Sequence, residues 1–118
     1  KNVTEMDYMF WGASSFNSDI SLWDVSSATN MIGMFDGASS FNSDISRWNV
    51  SSVTDMGYMF HSASSFNQNL CPWGPKLPQT FNYAYAGGMF IDSGCPNKNS
   101  PTGPTGPWCA VTNCTANP

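Results

Sequence analysis

The chain is poor in charge, and poorest in positive charge. Charged residues make up 10% of its 118 residues, and its formal net charge is −4. The basic residues are Lys1, Arg47, Lys76 and Lys98. Four scattered cations cannot neutralise a row of phosphates, so neither nucleic acid nor an anionic membrane is an expected partner.

Long apolar runs and catalytic motifs are missing as well. No segment approaches the ~20 apolar residues that a membrane-spanning helix needs, and no signal peptide is visible. The one histidine, His61, occupies a position where other copies of the motif described below have Trp11 and Asp36. Such variation predicts a solvent-facing side chain, so the sequence predicts neither an enzyme nor a cofactor or metal site.

Cysteine is present in an even number and only in the C-terminal part of the chain. The four residues are Cys71, Cys95, Cys109 and Cys114, without the spacing of a zinc site. We therefore predict two disulfides and an oxidising compartment. The favoured pairing joins Cys71 to Cys95 and Cys109 to Cys114, and a second pairing joins Cys71 to Cys109 and Cys95 to Cys114.

Three sequons agree with an extracellular location. Asn2, Asn49 and Asn113 each precede a serine or threonine by two positions, which is the acceptor pattern for N-glycosylation. Together with the cysteines, they predict a secreted glycoprotein at the cell surface or in the extracellular matrix.

An internal repeat of 25 residues dominates the sequence. Aromatic and methionine positions recur in strict register: Phe16, Phe41 and Phe66; Trp23, Trp48 and Trp73; Met6, Met31 and Met56. A repeat unit this small cannot bury its apolar side chains alone, so stacking of successive units is expected. The register predicts a short solenoid with interior columns of Phe, Trp, Met and Ile.

Each unit has two halves with different periods. In the first half, apolar residues are spaced as on one face of a helix, which predicts a short helix: Val3, Met6, Met9, Phe10 and Ala13. Thr4 and Asp7 resemble a capping pair for this helix. The second half predicts a short strand around residues 17–22 and a turn at Asp24–Ser27. We assign residues 1–77 to a three-repeat solenoid. Residues 78–118 form a degenerate fourth coil and a disulfide-stapled C-terminal cap, within one continuous structural domain.

Two polar columns have the same 25-residue register. The first is predicted to be a ladder of amides that bond to the next coil, with an exposed recognition stripe as the alternative: Asn17, Asn42 and Asn67. The second is a candidate ligand face, whose carboxylates could bind Ca²⁺ but are more typical of turn residues that bond nearby backbone: Asp19, Asp44 and Asn69.

The repeated motif resembles that of the BspA-like surface proteins, which have a repeat of roughly 25 residues. The segment Phe41–Ser51 (FNSDISRWNVS) carries the pattern, and the match extends from Val3 to Trp73. The resemblance implies an α+β, leucine-rich-repeat-like solenoid with one short strand plus one short helix per 25-residue coil. It also implies surface placement and adhesion, without shared catalytic residues. The Cys-rich end is similar to that of members from microalgae and other protists.

The two ends of the predicted solenoid differ. The N-terminal end shows no cap, and the chain starts within a repeat, so we expect either preceding repeats or a covering molecule. A head-to-tail contact between molecules would build filaments. The expected function is therefore that of an extracellular structural or adhesive protein that associates with itself or with other surface proteins or glycans. The alternative is a glycan- or protein-binding module that uses the strand face.

Overall fold

The structure is a computed structural model that describes residues 3–116. Its regular elements lie in the C-terminal part: helix α1 spans Trp73–Lys76, and two 3₁₀ helices span Tyr83–Ala86 and Cys114–Ala116. Residues in extended conformation form only isolated bridges. Two of these are parallel, at Glu5–Asn30 and Asn30–Asp55, and two are antiparallel, at Asn69–Cys109 and Trp108–Val111.

Turns take the place of the predicted helices. In the first motif copy, the N–H groups of Met9, Trp11 and Ala13 each donate to the carbonyl three residues earlier, which closes a series of tight turns. The same turns occur around residues 31–38 and 56–63. Four turn segments result, at residues 5–13, 30–38, 55–63 and 85–93.

Backbone hydrogen bonds connect each turn segment to the next. Every second N–H group of the first segment donates to a carbonyl of the second segment, at 2.8–2.9 Å. The donors are Met6, Tyr8, Phe10 and Gly12, and their acceptors are Asn30, Ile32, Met34 and Asp36, in that order. The second segment donates in the same way to the third, and the third donates to the segment at 85–93. Each of the first three segments therefore donates some of its N–H groups internally and others to the segment that follows.

Left-handed residues explain why these segments are not helical. Tyr8 and Gly12 have φ values of +56° and +69°, and Gly33 and Gly37 have +58° and +79° at the corresponding positions. A right-handed helix cannot continue through such residues. The spacing of the apolar residues fits one face of a helix. Two consecutive tight turns, each with a left-handed residue at its third position, also place these side chains on one side of the chain.

The predicted solenoid with one short strand plus one short helix per 25-residue coil is therefore wrong. Within residues 3–72 the structure has neither a helix nor a sheet, and only bridges of single residue pairs represent β-structure. The predicted cap at Thr4 and Asp7 has no helix to cap. The threonines bond along the stack instead, since Thr29 Oγ1 donates to the Thr4 carbonyl at 3.3 Å. The molecule is a compact body of turns, with extents of 34 × 32 × 24 Å.

Stacked aromatic rings form the centre of the core. Phe10, Phe35, Phe60 and Phe90 make one stack, with ring centroids 5.5–5.7 Å apart and planes within 6° of parallel. A second stack lies 4.0–4.1 Å beside it: Phe16, Phe41 and Phe66. Offset stacking is a favourable arrangement for aromatic side chains. These rings therefore add to the backbone hydrogen bonds that join neighbouring turn segments.

Tryptophan side chains link the core to the backbone. Trp48 and Trp73 are buried, and their Nε1 groups donate to the carbonyls of Ile20 and Ile45 at 3.0 Å. Trp23 has the corresponding place in the first motif copy but is 42% exposed. The prediction of interior tryptophans thus fails at Trp23, because among the described residues no turn segment lies on that side of it.

The C-terminal segment packs closely against α1. A Cβ atom on Gly74 would lie 2.0 Å from the Pro104 carbonyl oxygen, so only glycine allows this approach. Trp108 contacts Trp73 edge to face with centroids 6.5 Å apart. The result is a buried junction between residues 73–77 and the segment that contains two of the cysteines.

The predicted presence of two disulfides is confirmed, but both predicted pairings are wrong. Cys71 bonds to Cys114, and Cys95 bonds to Cys109, which is the third of the three connectivities that four cysteines allow. The antiparallel bridge at Asn69–Cys109 explains the outcome. It returns the chain alongside residues 68–70, and Cys114 then lies within bonding distance of Cys71.

Candidate functional site

A polar groove lies where the second halves of two motif copies meet. It has a volume of about 350 Å³ and is lined by Asp19, Ser21, Ser43, Asp44 and Arg47. Two members of the predicted ligand face, Asp19 and Asp44, therefore share one groove. The chain adds Arg47 there, so the groove presents carboxylates and a guanidinium together.

The third member of the predicted ligand face lies elsewhere. Asn69 pairs with Cys109 in an antiparallel bridge, and its Oδ1 accepts from the Cys71 N–H at 2.9 Å. The arrival of the C-terminal segment at this position separates Asn69 from the groove. The sequence register alone gave no sign of that segment's path.

Both groove carboxylates also hold tight turns. Asp19 accepts from the Ser21 N–H, and Asp44 accepts from the Ser46 N–H, each at 2.9 Å. The backbone hydrogen bond from Ser46 lowers the pKa of Asp44 most, and its hydroxyl and the charge of Arg47 add to this. The backbone and side chain of Ser21 lower the pKa of Asp19 in the same way. Both groups therefore favour the charged form.

Acid is expected to destabilise the fold through these turns. Asp24 belongs to the same group, since the hydroxyl and then the N–H of Ser26 lower its pKa. A lowered pKa in the folded state stabilises the fold fully above the ordinary value of 3.8. This stabilisation is lost as the pH falls through the lowered values. We expect the melting temperature, measured by circular dichroism, to fall with acidification below pH 3.8.

A triple variant provides the control for this pH dependence. Asp19→Asn, Asp24→Asn and Asp44→Asn together keep an amide oxygen that accepts the turn hydrogen bonds but remove the titrating groups. The structure itself uses asparagine in such a turn at Asn49, whose Oδ1 accepts from the Ser51 N–H. The melting temperature of the triple variant should depend less on pH than that of the unmodified protein. An unchanged slope would show that other groups cause the acid sensitivity.

The three aligned asparagines lie next to one another on the surface. Asn17 Oδ1 accepts from the Asn42 N–H, and Asn42 Oδ1 accepts from the Asn67 N–H, both at 2.8 Å. Each amide thus satisfies a backbone donor of the following motif copy. Gln68 Nε2 also donates to Asn42 Oδ1, at 3.0 Å.

Two of the three sequon asparagines are exposed in the structure. Asn49 lies on the surface, and so does Asn113, whose Oδ1 accepts from the Thr115 N–H and hydroxyl. Asn2 lies outside the described residues. Both described acceptor asparagines therefore lie at the surface.

His61 is half-buried, in contrast to the predicted solvent-facing position. Its Nδ1 lies 2.8 Å from Asp36 Oδ1, and its ring meets that of Tyr58 edge on. The partner Asp36 comes from the corresponding position of the preceding motif copy. This pair links two turn segments side chain to side chain.

Neither a metal cluster nor a membrane helix is found in the part of the chain that the structure describes. Residues 3–116 contain no group of three or more His, Cys, Asp or Glu side chains that could hold a metal ion. Among the same residues, none of the helices has the length and apolar character required to cross a bilayer.

Sequence reasoning missed one further surface, an aromatic groove that contains Tyr8, Tyr58 and Tyr85. The available signal was the alternation of tyrosine and glycine at positions 8, 33 and 58 of the repeat register.

The fold and its surfaces define a disulfide-bonded protein of stacked turns with an aromatic core. The chain belongs to the family described as "Mycoplasma protein of unknown function, DUF285", whose model matches residues 1–99. No protein with a curated description matches the chain. No solved structure matches it either.

Proposed function

We propose that this protein is an extracellular structural or adhesive protein that associates through the apolar end next to its first turn segment. Two disulfides support an oxidising, extracellular location, because cytosolic thiols are kept reduced. The exposed sequons at Asn49 and Asn113 support the same location. The observation that carries the proposal is the exposure, among residues 3–116, of side chains whose counterparts are buried in every other motif copy.

We call this surface the end face and define it by Val3, Met9, Phe10, Phe16 and Trp23. Met9 is 43% exposed, whereas its counterparts Met34 and Met59 are fully buried. Val3 is 38% exposed, and Phe10 and Phe16 are half-buried, although their counterparts are fully buried. Phe10 lies against Phe16 and Trp23, with ring centroids 4.1 and 5.7 Å apart. Exposed apolar side chains that adjoin in this way are typical of a protein interaction site.

The backbone of the end face is a row of hydrogen-bond acceptors. The carbonyls of Glu5, Asp7, Met9 and Trp11 correspond to those that accept from the preceding segment elsewhere. Among residues 3–116 they accept no backbone hydrogen bond. Two copies placed face to face would bring acceptors against acceptors, so a symmetric pair through this edge is disfavoured.

A head-to-tail contact between copies can bring hydrogen-bond donors to these carbonyls. At the opposite end, the Gly88 N–H donates to Ser100 Oγ, whereas the N–H groups of Phe90 and Asp92 donate to no backbone carbonyl within the described chain. Ile91, which lies between them, is 43% exposed. Donors at one end and acceptors at the other favour a heterologous contact, which builds filaments if it does not close.

Analytical ultracentrifugation across a wide range of protein concentration tests the proposal. We expect the unmodified protein to self-associate, and Met9→Lys to abolish this by placing a charge on the end face. Leu22→Arg is the matched control: Leu22 is 89% exposed outside the end face, and the residue 25 positions on is already Arg47. A protein that sediments as a monomer at every concentration would rule out the self-association.

A second candidate function is recognition of a glycan or protein by the polar groove. The grouping of Asp19 and Asp44 with Arg47 around one groove favours it. Arg47→Ala and the double variant Asp19→Asn, Asp44→Asn should then abolish a signal on a glycan array that the unmodified protein gives. Binding that survives both changes would place the recognition elsewhere.

A further inference from the structure

A second groove lies on the surface formed by the turn segments, away from the polar groove. It has a volume of about 440 Å³, and its larger lining side chains are Tyr8, Ile32, Asp55, Tyr58, Tyr85 and Ile91. The three tyrosines are 52–53% exposed, and Ile91 is 43% exposed. Aromatic surface that is both exposed and gathered around a groove is characteristic of binding sites.

The fold holds two of these tyrosine rings in place. Tyr8 and Tyr58 both have a φ of +56°, a region that bulky residues rarely adopt. Their rings lie over Gly33 and Gly88, where an added Cβ atom would come within 2.4–2.5 Å of the ring Cε1. Tyrosine thus alternates with glycine so that each ring covers the next segment. The strained backbone is retained although glycine would relieve it, which is typical of a functional position.

The charge around this groove is negative. Asp55 is the titratable carboxylate in its wall, and its Oδ1 accepts one long hydrogen bond, of 3.3 Å, from the Gly57 N–H. The described lysine and arginine side chains lie elsewhere. Arg47 lines the polar groove, the Lys76 ammonium donates to the Ser46 carbonyl, and the Lys98 ammonium donates to the Cys95 carbonyl. The groove therefore attracts cations, in agreement with the net charge of −4.

We propose that the tyrosine groove binds lysine or arginine side chains of a partner protein. Tyrosine faces attract an ammonium or guanidinium group through the ring quadrupole. The Asp55 carboxylate adds a charge-assisted acceptor at the same place. The exposed apolar side chain of Ile91 offers a surface for the aliphatic part of a long basic side chain, which packs on apolar surface while its charged end stays solvated.

Calorimetric titration with a hexalysine peptide, blocked at both ends, tests this proposal at physiological salt. We expect binding, and we expect Tyr58→Gly and Tyr8→Gly each to weaken it about two- to fivefold. These variants keep the fold, because glycine already occupies the corresponding positions 33 and 88 and adopts the same positive φ. Asp55→Asn should weaken binding further than either, since it removes the carboxylate.

Matched controls separate the groove from general charge attraction. Asp24→Asn removes one negative charge outside the groove, and Trp11→Ala removes a 66% exposed ring outside it. Both should leave hexalysine affinity nearly unchanged. The proposal fails if the tyrosine variants bind hexalysine as well as the unmodified protein does. It also fails if neutral cellohexaose binds instead and loses affinity in the tyrosine variants, because the groove would then recognise sugar.

Discussion

Replacing Phe60 by alanine is expected to lower the free energy of unfolding by about 3–5 kcal/mol. Phe60 is fully buried at the centre of the core. Its ring stacks on Phe35 and Phe90 at 5.6 and 5.7 Å and lies 4.0 Å from the ring of Phe66. Removal of the ring leaves a cavity between the turn segments that it joins. Urea denaturation with the disulfides intact measures the loss.

Phe10 provides the matched control for this substitution. It occupies the same stack and contacts Phe35 at 5.5 Å, but it is half-buried at the end face. Phe10→Ala should cost clearly less than Phe60→Ala, because a partly exposed ring loses less burial. Equal losses at the two positions would contradict the view that the closed ring stack holds the turn segments together.

The identity of the core residues could be predicted from the sequence, whereas their local conformation could not. The 25-residue register correctly indicated which aromatic side chains are neighbours, and Phe16, Phe41 and Phe66 stack as that register implies. Apolar offsets could not separate a helical turn from two consecutive tight turns, because both place the same side chains on one face. The deciding feature is the positive φ at Tyr8 and Tyr58, and tyrosine gives little sign of it.

The candidate site was predictable where it depends on register and not where distant segments meet. Asp19 and Asp44 share a groove because they lie 25 positions apart in neighbouring motif copies. Asn69 is separated from them by the C-terminal segment, whose path has no counterpart in the repeat. The cysteine pairing was mispredicted for the same reason, since four cysteines alone do not determine how the segment after Cys95 folds back.

Removal of the bond between Cys71 and Cys114 is expected to be the most destabilising change outside the core. This bond joins residues 43 positions apart, and the other joins residues 14 positions apart. In the chain-entropy model, closing loops of these lengths contributes about 4 and about 3 kcal/mol respectively. The double variant Cys71→Ala, Cys114→Ala should therefore unfold at a lower urea concentration by an amount that corresponds to about 4 kcal/mol.

Accessibility makes the same bond the first to be reduced. Cys95 and Cys109 are fully buried, whereas Cys71 and Cys114 are half-buried. Brief treatment of the folded protein with a thiol reductant, followed by alkylation and peptide mapping, should label Cys71 and Cys114 before the other two. The bond that contributes most to the constraint of the unfolded chain is thus also the one that solvent can reach. Peptides that join Cys71 to Cys95 in the untreated protein would overturn the pairing, and with it the explanation of how the C-terminal segment returns alongside residues 68–70.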